Sequence, residues 1–159
     1  MQKSSSNQEI SLKLFIVMNR AFRAMGEHAT RQVQASGLNF TDFVILEILL
    51  NKGDLPISTI GAKIPLTNGS MTTAIDRLET KGLVERVAHE SDRRTKLVHL
   101  TPKGKKVIAP VFKEHAAVIE AATNGLKREE KIVAIELIKR LGKFAEELPV
   151  AIGTKPGQQ

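Results

Sequence analysis

Two short β-type runs, Leu83–Ala88 and Lys96–Leu100, interrupt a chain whose other long segments all carry a helical period. Seven polar residues, His89 to Thr95, lie between them, which predicts a hairpin with a long tip rather than a two-residue turn. A helix is expected just before it, from Thr67 to Lys81. Its apolar residues Met71, Ala74, Ile75 and Leu78 recur at spacings of three and four and make a narrow stripe. The rest of its surface is small or polar: Asn68, Gly69, Ser70, Thr72, Thr73, Asp76 and Arg77. Leu66 and Met71 are a candidate hydrophobic staple. Gly82 stands where a helix C-cap is expected. Pro65 separates this helix from a very short one, capped by Ser58 and reaching about Ile64. After the hairpin, Thr101-Pro102 reads as an N-cap followed by proline at the first helical position.

Longer amphipathic helices flank this centre. From about Gln8 to Gln34, the residues Leu14, Met18, Ala21, Phe22, Met25, Ala29 and Val33 form one apolar face. Ser36-Gly37 is the expected stop. Thr41 is expected to cap a second helix running through Lys52, with Phe40 and Ile45 at the staple positions. Lys52-Gly53-Asp54 ends it, and Leu55-Pro56-Ile57 is extended. Beyond the hairpin, a helix to about Thr123 carries Val107, Val111, His115, Val118 and Ala122 on one side. A last helix, from about Lys127 to Leu148, aligns Ile132, Ile135, Ile138, Leu141, Phe144 and Leu148. Lys127 is an unfavourable charge at a helix start, whereas Glu129-Glu130 suits the dipole. The expected class is mainly α with a small β-hairpin wing. Residues 38–101 form a winged helix-turn-helix between an N-terminal helical segment (1–37) and C-terminal helices with a tail (102–159).

Charge places the function at the hairpin. The net charge of +7 favours a polyanionic partner. Residues 38–101 nevertheless hold eight basic and eight acidic side chains. Residues 86–106 hold seven basic ones (Arg86, Arg93, Arg94, Lys96, Lys103, Lys105, Lys106) against Glu90 and Asp92. A helix fits the major groove of duplex DNA, and its N-terminal residues meet base edges and phosphates. Thr67, Asn68, Ser70 and Thr73 can donate to phosphates or read bases. Gly69, Ser70 and Thr72 permit close approach, and Arg77 suits a phosphate. Arg93 and Arg94 suit a narrow, negative minor groove. A polar helix face or a basic loop alone is usually just solvated surface; the two in this order point to DNA. Gly61 and Gly69 each lower helix propensity by about 1 kcal/mol relative to Ala, which close packing or close DNA approach would justify.

Several classes are excluded or disfavoured. With no cysteine, disulfides, thiol catalysis, thiol redox sensing and Cys-based zinc sites are ruled out. All six aromatics are Phe, which disfavours single-strand binding by base stacking. No P-loop, GxSxG, HExxH or GxGxxG sequence occurs, so neither an enzyme nor a cofactor is expected. The apolar run Phe43–Leu50 is too short to span a bilayer and carries Glu47. The N-terminal residues lack the order of a signal peptide. A cytoplasmic protein without a membrane partner is expected.

Leu66–Gly104 resembles the MarR family of bacterial transcriptional regulators. Arg77-Leu78-Glu79 with Lys81-Gly82-Leu83-Val84 is similar to the family's helix-to-hairpin signature. Asp92-Arg93-Arg94, leading to Leu100-Thr101-Pro102-Lys103-Gly104, is similar to its wing signature. Phe43 to Gly53, Ile60-Gly61 and Leu66–Ser70 also resemble a branch that answers quinone-like or phenolic compounds. The resemblance implies a homodimer interlocked through residues 1–35 and 105–148. It implies that Arg94 enters the minor groove while Asp92 orients it. Two recognition helices would then sit roughly 34 Å apart on a pseudo-palindromic operator.

By the same resemblance, a small aromatic effector would release a repressor from DNA. The candidate wall is Met25 and His28 on the first helix, Phe40, Phe43 and Glu47 on the second, and Phe112 and His115 on the fifth. Two alternatives stand beside it. A metal-responsive regulator would use His28, His89, His99 and His115 with Glu27 and Glu114, although their spacing lacks a helical metal signature, and no metal ligands are assigned. A helical partner-binding module would retain only a vestigial winged domain.

Overall fold

The structure, a computed structural model, describes residues 6–64, 68–88 and 96–149. The elements in chain order are α1 (Asn7–Ala35), α2 (Phe40–Lys52), β1 (Leu55–Pro56), α3 (Ile57–Gly61), α4 (Asn68–Thr80), β2 (Val84–Ala88), β3 (Lys96–Leu100), α5 (Pro102–Ala122) and α6 (Arg128–Glu147). They fall into two compact units, Met1–Ala122 and Thr123–Gln159. Among the described residues, no single helix is long and apolar enough to cross a membrane.

Local hydrogen bonds explain most of the boundaries. Ser6 and Glu9 form a reciprocal capping box at the start of α1. Gly37, at φ +81°, turns the chain after it. The cap of α2 is Asn39 rather than Thr41: its Oδ1 accepts the Asp42 N–H at 2.8 Å. Phe40 is therefore the first helical residue, and the staple positions pass to Leu38 and Phe43, both buried. Ser58 does not cap α3, which begins at Ile57 after Pro56 and has no side-chain cap. The break expected at Pro65 and the residues Leu66 and Thr67 lie outside the described residues.

Helix α4 ends in a full Schellman motif. The Leu83 N–H donates to Leu78 O at 3.0 Å, and the Gly82 N–H to Glu79 O at 2.8 Å. Gly82 has φ +67°, a conformation that a side chain would strain. Leu78 and Leu83, the apolar pair that accompanies this motif, are both buried.

The hairpin strands pair antiparallel with Val84 opposite Leu100 and Ala88 opposite Lys96. The tip between them, residues 89–95, lies outside the described residues. A third strand joins them: β1 pairs antiparallel with β3, Leu55 opposite Val98, giving the order β1-β3-β2. Thr101 Oγ1 accepts the Gly104 N–H at 3.0 Å and donates to Gly82 O at 2.8 Å. It thus caps α5 and ties that helix to the turn below α4. A Cβ on Gly104 would collide with Leu83 O and stand 2.8 Å from Leu100 Cδ1, so only glycine permits this approach.

The core of the first unit is drawn from α1, α2, α3, α4, the sheet and α5, with Ile45, Leu46, Ile60, Ile75, Leu78, Val98 and Ile108 fully buried. Of the expected α5 line, Val111 is buried, Val107 packs against the core, His115 and Val118 are half-buried and Ala122 is exposed; Gly104 and Ile108 join that same face as buried members that the periodicity did not single out. That face packs against α1 and α2, and the first turn of α5 abuts Leu83. Of the α1 stripe only Ala29 and Val33 are buried; Leu14 and Phe22 are exposed.

The second unit contains α6, which buries no residue. Lysine has no acceptor and cannot cap in the manner of serine. The Lys127 backbone N–H donates instead to Glu130 Oε2 at 2.7 Å, and Glu129 and Glu130 supply the favourable charge.

Candidate nucleic-acid interface

Helix α4 separates its two faces cleanly. Met71, Ala74, Ile75 and Leu78 are buried, and Gly69, Ser70, Thr72 and Thr73 are exposed. Asn68 opens the helix. No packing constraint explains Gly69: a Cβ there would meet nothing within 4 Å, and its φ is not positive. A Cβ at Gly61 would meet only Met71 Cγ, at an ordinary 3.9 Å. The Thr73 hydroxyl donates to Gly69 O at 3.0 Å, so its proton is held by its own helix while its lone pairs face outward.

Arg77 is not simply exposed on this face. Its Nη2 lies 2.5 Å from Asp42 Oδ1, and its Nε 3.2 and 3.3 Å from the two carboxylate oxygens. Lys81 Nζ reaches the same carboxylate at 3.3 Å. Asp42, on α2, is fully buried, the one charged residue so placed among the described residues. The hydrogen bond to Asp42, and then its charge, hold the Arg77 guanidinium above its ordinary pKa against the cost of burial. Sequence reasoning missed Asp42. The available signal was an acid set in the apolar run of α2, with two cations one helical turn apart, Arg77 on α4 and Lys81 just after its end.

The basic patch is smaller than its sequence count. Arg86 on β2 pairs with Glu79 and Asp76 of α4, its Nη2 2.5 Å from Asp76 Oδ1. Its backbone N–H also donates to Glu79 Oε1 at 3.2 Å. Hydrogen bonding to Asp76 leads in raising the Arg86 pKa, and the charges of Glu79 and Asp76 add to it. Lys103 Nζ donates to Lys81 O at 2.7 Å and so caps the C-terminal end of α4. Lys96, Lys105 and Lys106 are exposed. Thr67, Asp92, Arg93 and Arg94 lie outside the described residues, as does His89.

The expected effector wall is brought together only in part. The Phe43 and His115 rings stand 4.6 Å apart, and Phe40 lies 6.3 Å from Phe43. His115 Nδ1 is 3.2 Å from Gln32 Oε1 on α1. Burial pushes the His115 pKa down, and Glu47 pulls it back up. Phe43 is a core residue, and Phe112 packs against the core. Met25 is half-buried and His28 is exposed on α1. An open groove of about 500 Å³ runs along α1, lined by Phe22, Arg23, Gly26, Glu27, Thr30, Arg31 and Phe40. Of the seven expected wall residues it includes Phe40 alone. His99 Nδ1 lies 2.8 Å from Asp54 Oδ1, and its Nε2 4.0 Å from Glu85 Oε1. These contacts engage opposite ring nitrogens, an arrangement that one metal ion could not share. Among the described residues no group of His, Asp and Glu is placed to hold a metal.

The chain is similar to known proteins in sequence and fold. Residues 38–96 match the MarR family profile. The chain is 42% identical over 139 residues to the HTH-type transcriptional regulator MhqR of Bacillus subtilis, covering 87% of this chain and 96% of that one. Sco3205 of Streptomyces coelicolor, a MarR family regulator solved in complex with DNA, matches with a TM-score of 0.73 at 20% identity, over 90% of this chain and 91% of that one. BpsR of Bordetella bronchiseptica, whose DNA binding is regulated by 6-hydroxynicotinic acid, matches with a TM-score of 0.70 at 20% identity, over 82% and 98%.

Proposed function

The chain belongs to the MarR family of DNA-binding transcriptional regulators and is not an enzyme, and from that premise we propose that it is a homodimeric repressor released from a pseudo-palindromic operator by a small aromatic effector. In this proposal residues 38–101 bind DNA, while 1–37 and 102–159 join the two protomers. The exposed face of α4 enters the major groove through Ser70, Thr72 and Thr73, and Thr67 and Asn68, next before them in the sequence, add to the contact. The wing follows the backbone into the minor groove, with Arg94 inserted, Asp92 orienting it and Arg93 beside it. Arg77 contributes a phosphate contact only through the guanidinium edge that Asp42 does not hold.

The observation that carries DNA recognition is the polar outer face of α4 over a fully buried stripe, adjacent to the hairpin. Dimerisation is supported by apolar side chains left uncovered, including Phe15 and Phe22 on α1 and Val133, Ile138 and Phe144 on α6. An aromatic effector is supported by the Phe40, Phe43 and His115 cluster and by the small aromatic acid that regulates BpsR.

The test is fluorescence anisotropy on the duplex upstream of the chain's own gene, with an unrelated duplex as control and salt titrated. Tight binding with preference for the first duplex is expected. Arg94→Ala should weaken it by about 5- to 150-fold, corresponding to roughly 1–3 kcal/mol, without altering the dimer. Wild-type affinity in that variant would remove the minor-groove role. Absence of binding to either duplex at low salt would move the function to a partner-binding module. A phenolic panel added to the complex tests release.

A further inference from the structure

Helix α4 is gripped from both flanks by ion pairs of opposite polarity. On one flank Arg77 and Lys81, a turn apart, share the buried carboxylate of Asp42 on α2. On the other flank Asp76 and Glu79 share the guanidinium of Arg86 on β2. The buried stripe lies between these flanks on the inner side, and Gly69 and Thr73 lie between them on the outer side, as a helix of about 100° per residue requires. The stripe is narrow and includes the small Ala74, so apolar packing alone resists rotation of α4 weakly. The clamps resist it in both directions.

We propose that Asp42 and Arg86 are positioning residues for DNA recognition: together they set the roll of α4 about its own axis. This rests on the placement of α4 in the major groove proposed above. A roll of about 20° moves a side-chain tip at about 5–6 Å from the axis by about 2 Å. Hydrogen bonds to base edges do not survive such a shift, whereas contacts to a continuous phosphate backbone do. The clamps therefore govern discrimination between sequences more than total affinity.

Their charges give each clamp a distinct signature. Two cations meet one carboxylate at Asp42, so Asp42→Asn adds one positive charge to that corner while keeping an acceptor for Arg77. Two carboxylates meet one guanidinium at Arg86, so Arg86→Gln leaves negative charge on α4 near DNA.

The test uses the full-length protein and a duplex that the wild type selects from a random pool, alongside an unselected duplex. Asp42→Asn should bind the unselected duplex as well as or better than wild type, yet lose about tenfold in the ratio of selected to unselected affinity, within the range of one base contact. Arg86→Gln should weaken both duplexes and lower the ratio as well. Circular dichroism fixes the folded fraction of each variant. Because Asp42 is buried, that variant could misfold; Arg86, whose side chain is 20% exposed, then decides the matter alone. A merely structural role would scale both duplexes by the folded fraction and leave the ratio unchanged, and that result would overturn the proposal. If the wild type enriches no sequence, the major-groove placement of α4 fails, and the positioning role falls with it.

Discussion

Helices α4 and α6 both repeat apolar residues at three- and four-residue spacing, with opposite outcomes. Met71, Ala74, Ile75 and Leu78 are 2% exposed or less, whereas Ile132, Ile135, Ile138 and Leu141 are 41 to 53% exposed. In α4 the chain covers its own stripe, and the remaining surface is polar. In α6 the stripe stays exposed within its own unit, among the described residues. Periodicity states which side chains favour removal from water; it does not state what removes them. The difference separates an element folded by its own domain from one whose burial, in the proposed function, awaits a second copy.

The sharpest way to break that comparison is to truncate one residue from each stripe. Leu78→Ala should cost about 2–5 kcal/mol, read as a shift in denaturation midpoint that does not depend on protein concentration. Ile138→Ala should act on self-association, measured by sedimentation, with its effect on unfolding growing where dimers are populated. Equal, concentration-independent losses from both would show that α6 is packed within its own protomer.

A smaller effect sharpens why α4 is so well held. Gly104→Ala should destabilise by about 1–3 kcal/mol, because the new methyl meets Leu83 O at the Schellman turn below α4. Thermal unfolding measures it, and an unchanged midpoint would mean that α5 can withdraw from that turn at little cost.

Gly69→Ala probes the outer face. Helix propensity alone should stabilise the protein by up to about 1 kcal/mol, since a Cβ there meets nothing within 4 Å. Binding to operator should weaken in the same variant if α4 approaches DNA closely at Gly69. A gain in stability with undiminished binding would place the groove contact elsewhere on the helix.

The smallest effect concerns the α1, α2 and α5 junction. Burial lowers the folded-state pKa of His115 below its ordinary value near 6.5. The unfolded chain then binds more protons in the window from that lowered pKa up to about 6.5. The contribution of His115 to stability is thus full above 6.5 and declines as pH falls through the window. His115→Gln should flatten the pH dependence of the melting temperature there; an unchanged slope would assign it to other groups.

Much of the fold was legible because its determinants are local. The α4 stripe, the glycine after that helix and the Thr101-Pro102 start of α5 rest on residues within about five positions of one another, and the hairpin strands pair across a single intervening tip. Where two local choices competed, sequence reasoning chose poorly. Asn39 and Thr41 are both good caps, and the apolar Phe40 between them can serve either as staple or as first helical residue. On α5 the periodic line was legible through Val107 and Val111, but Gly104 was not, because its burial comes from the close approach to Leu83, 21 residues earlier.

The sequence by itself determined the identity of the elements, the polar outer face of α4 and the excess of apolar surface on α1 and α6. These follow from side-chain period, capping chemistry and composition, which act over short separations along the chain. Only the tertiary structure decided that β1 completes the sheet across from Val98, that Arg86 and Lys103 are engaged by α4, and that Asp42 is buried between α2 and two cations 35 and 39 residues away. A buried charge is tolerable only where its partners converge, and that convergence is a property of the packed chain.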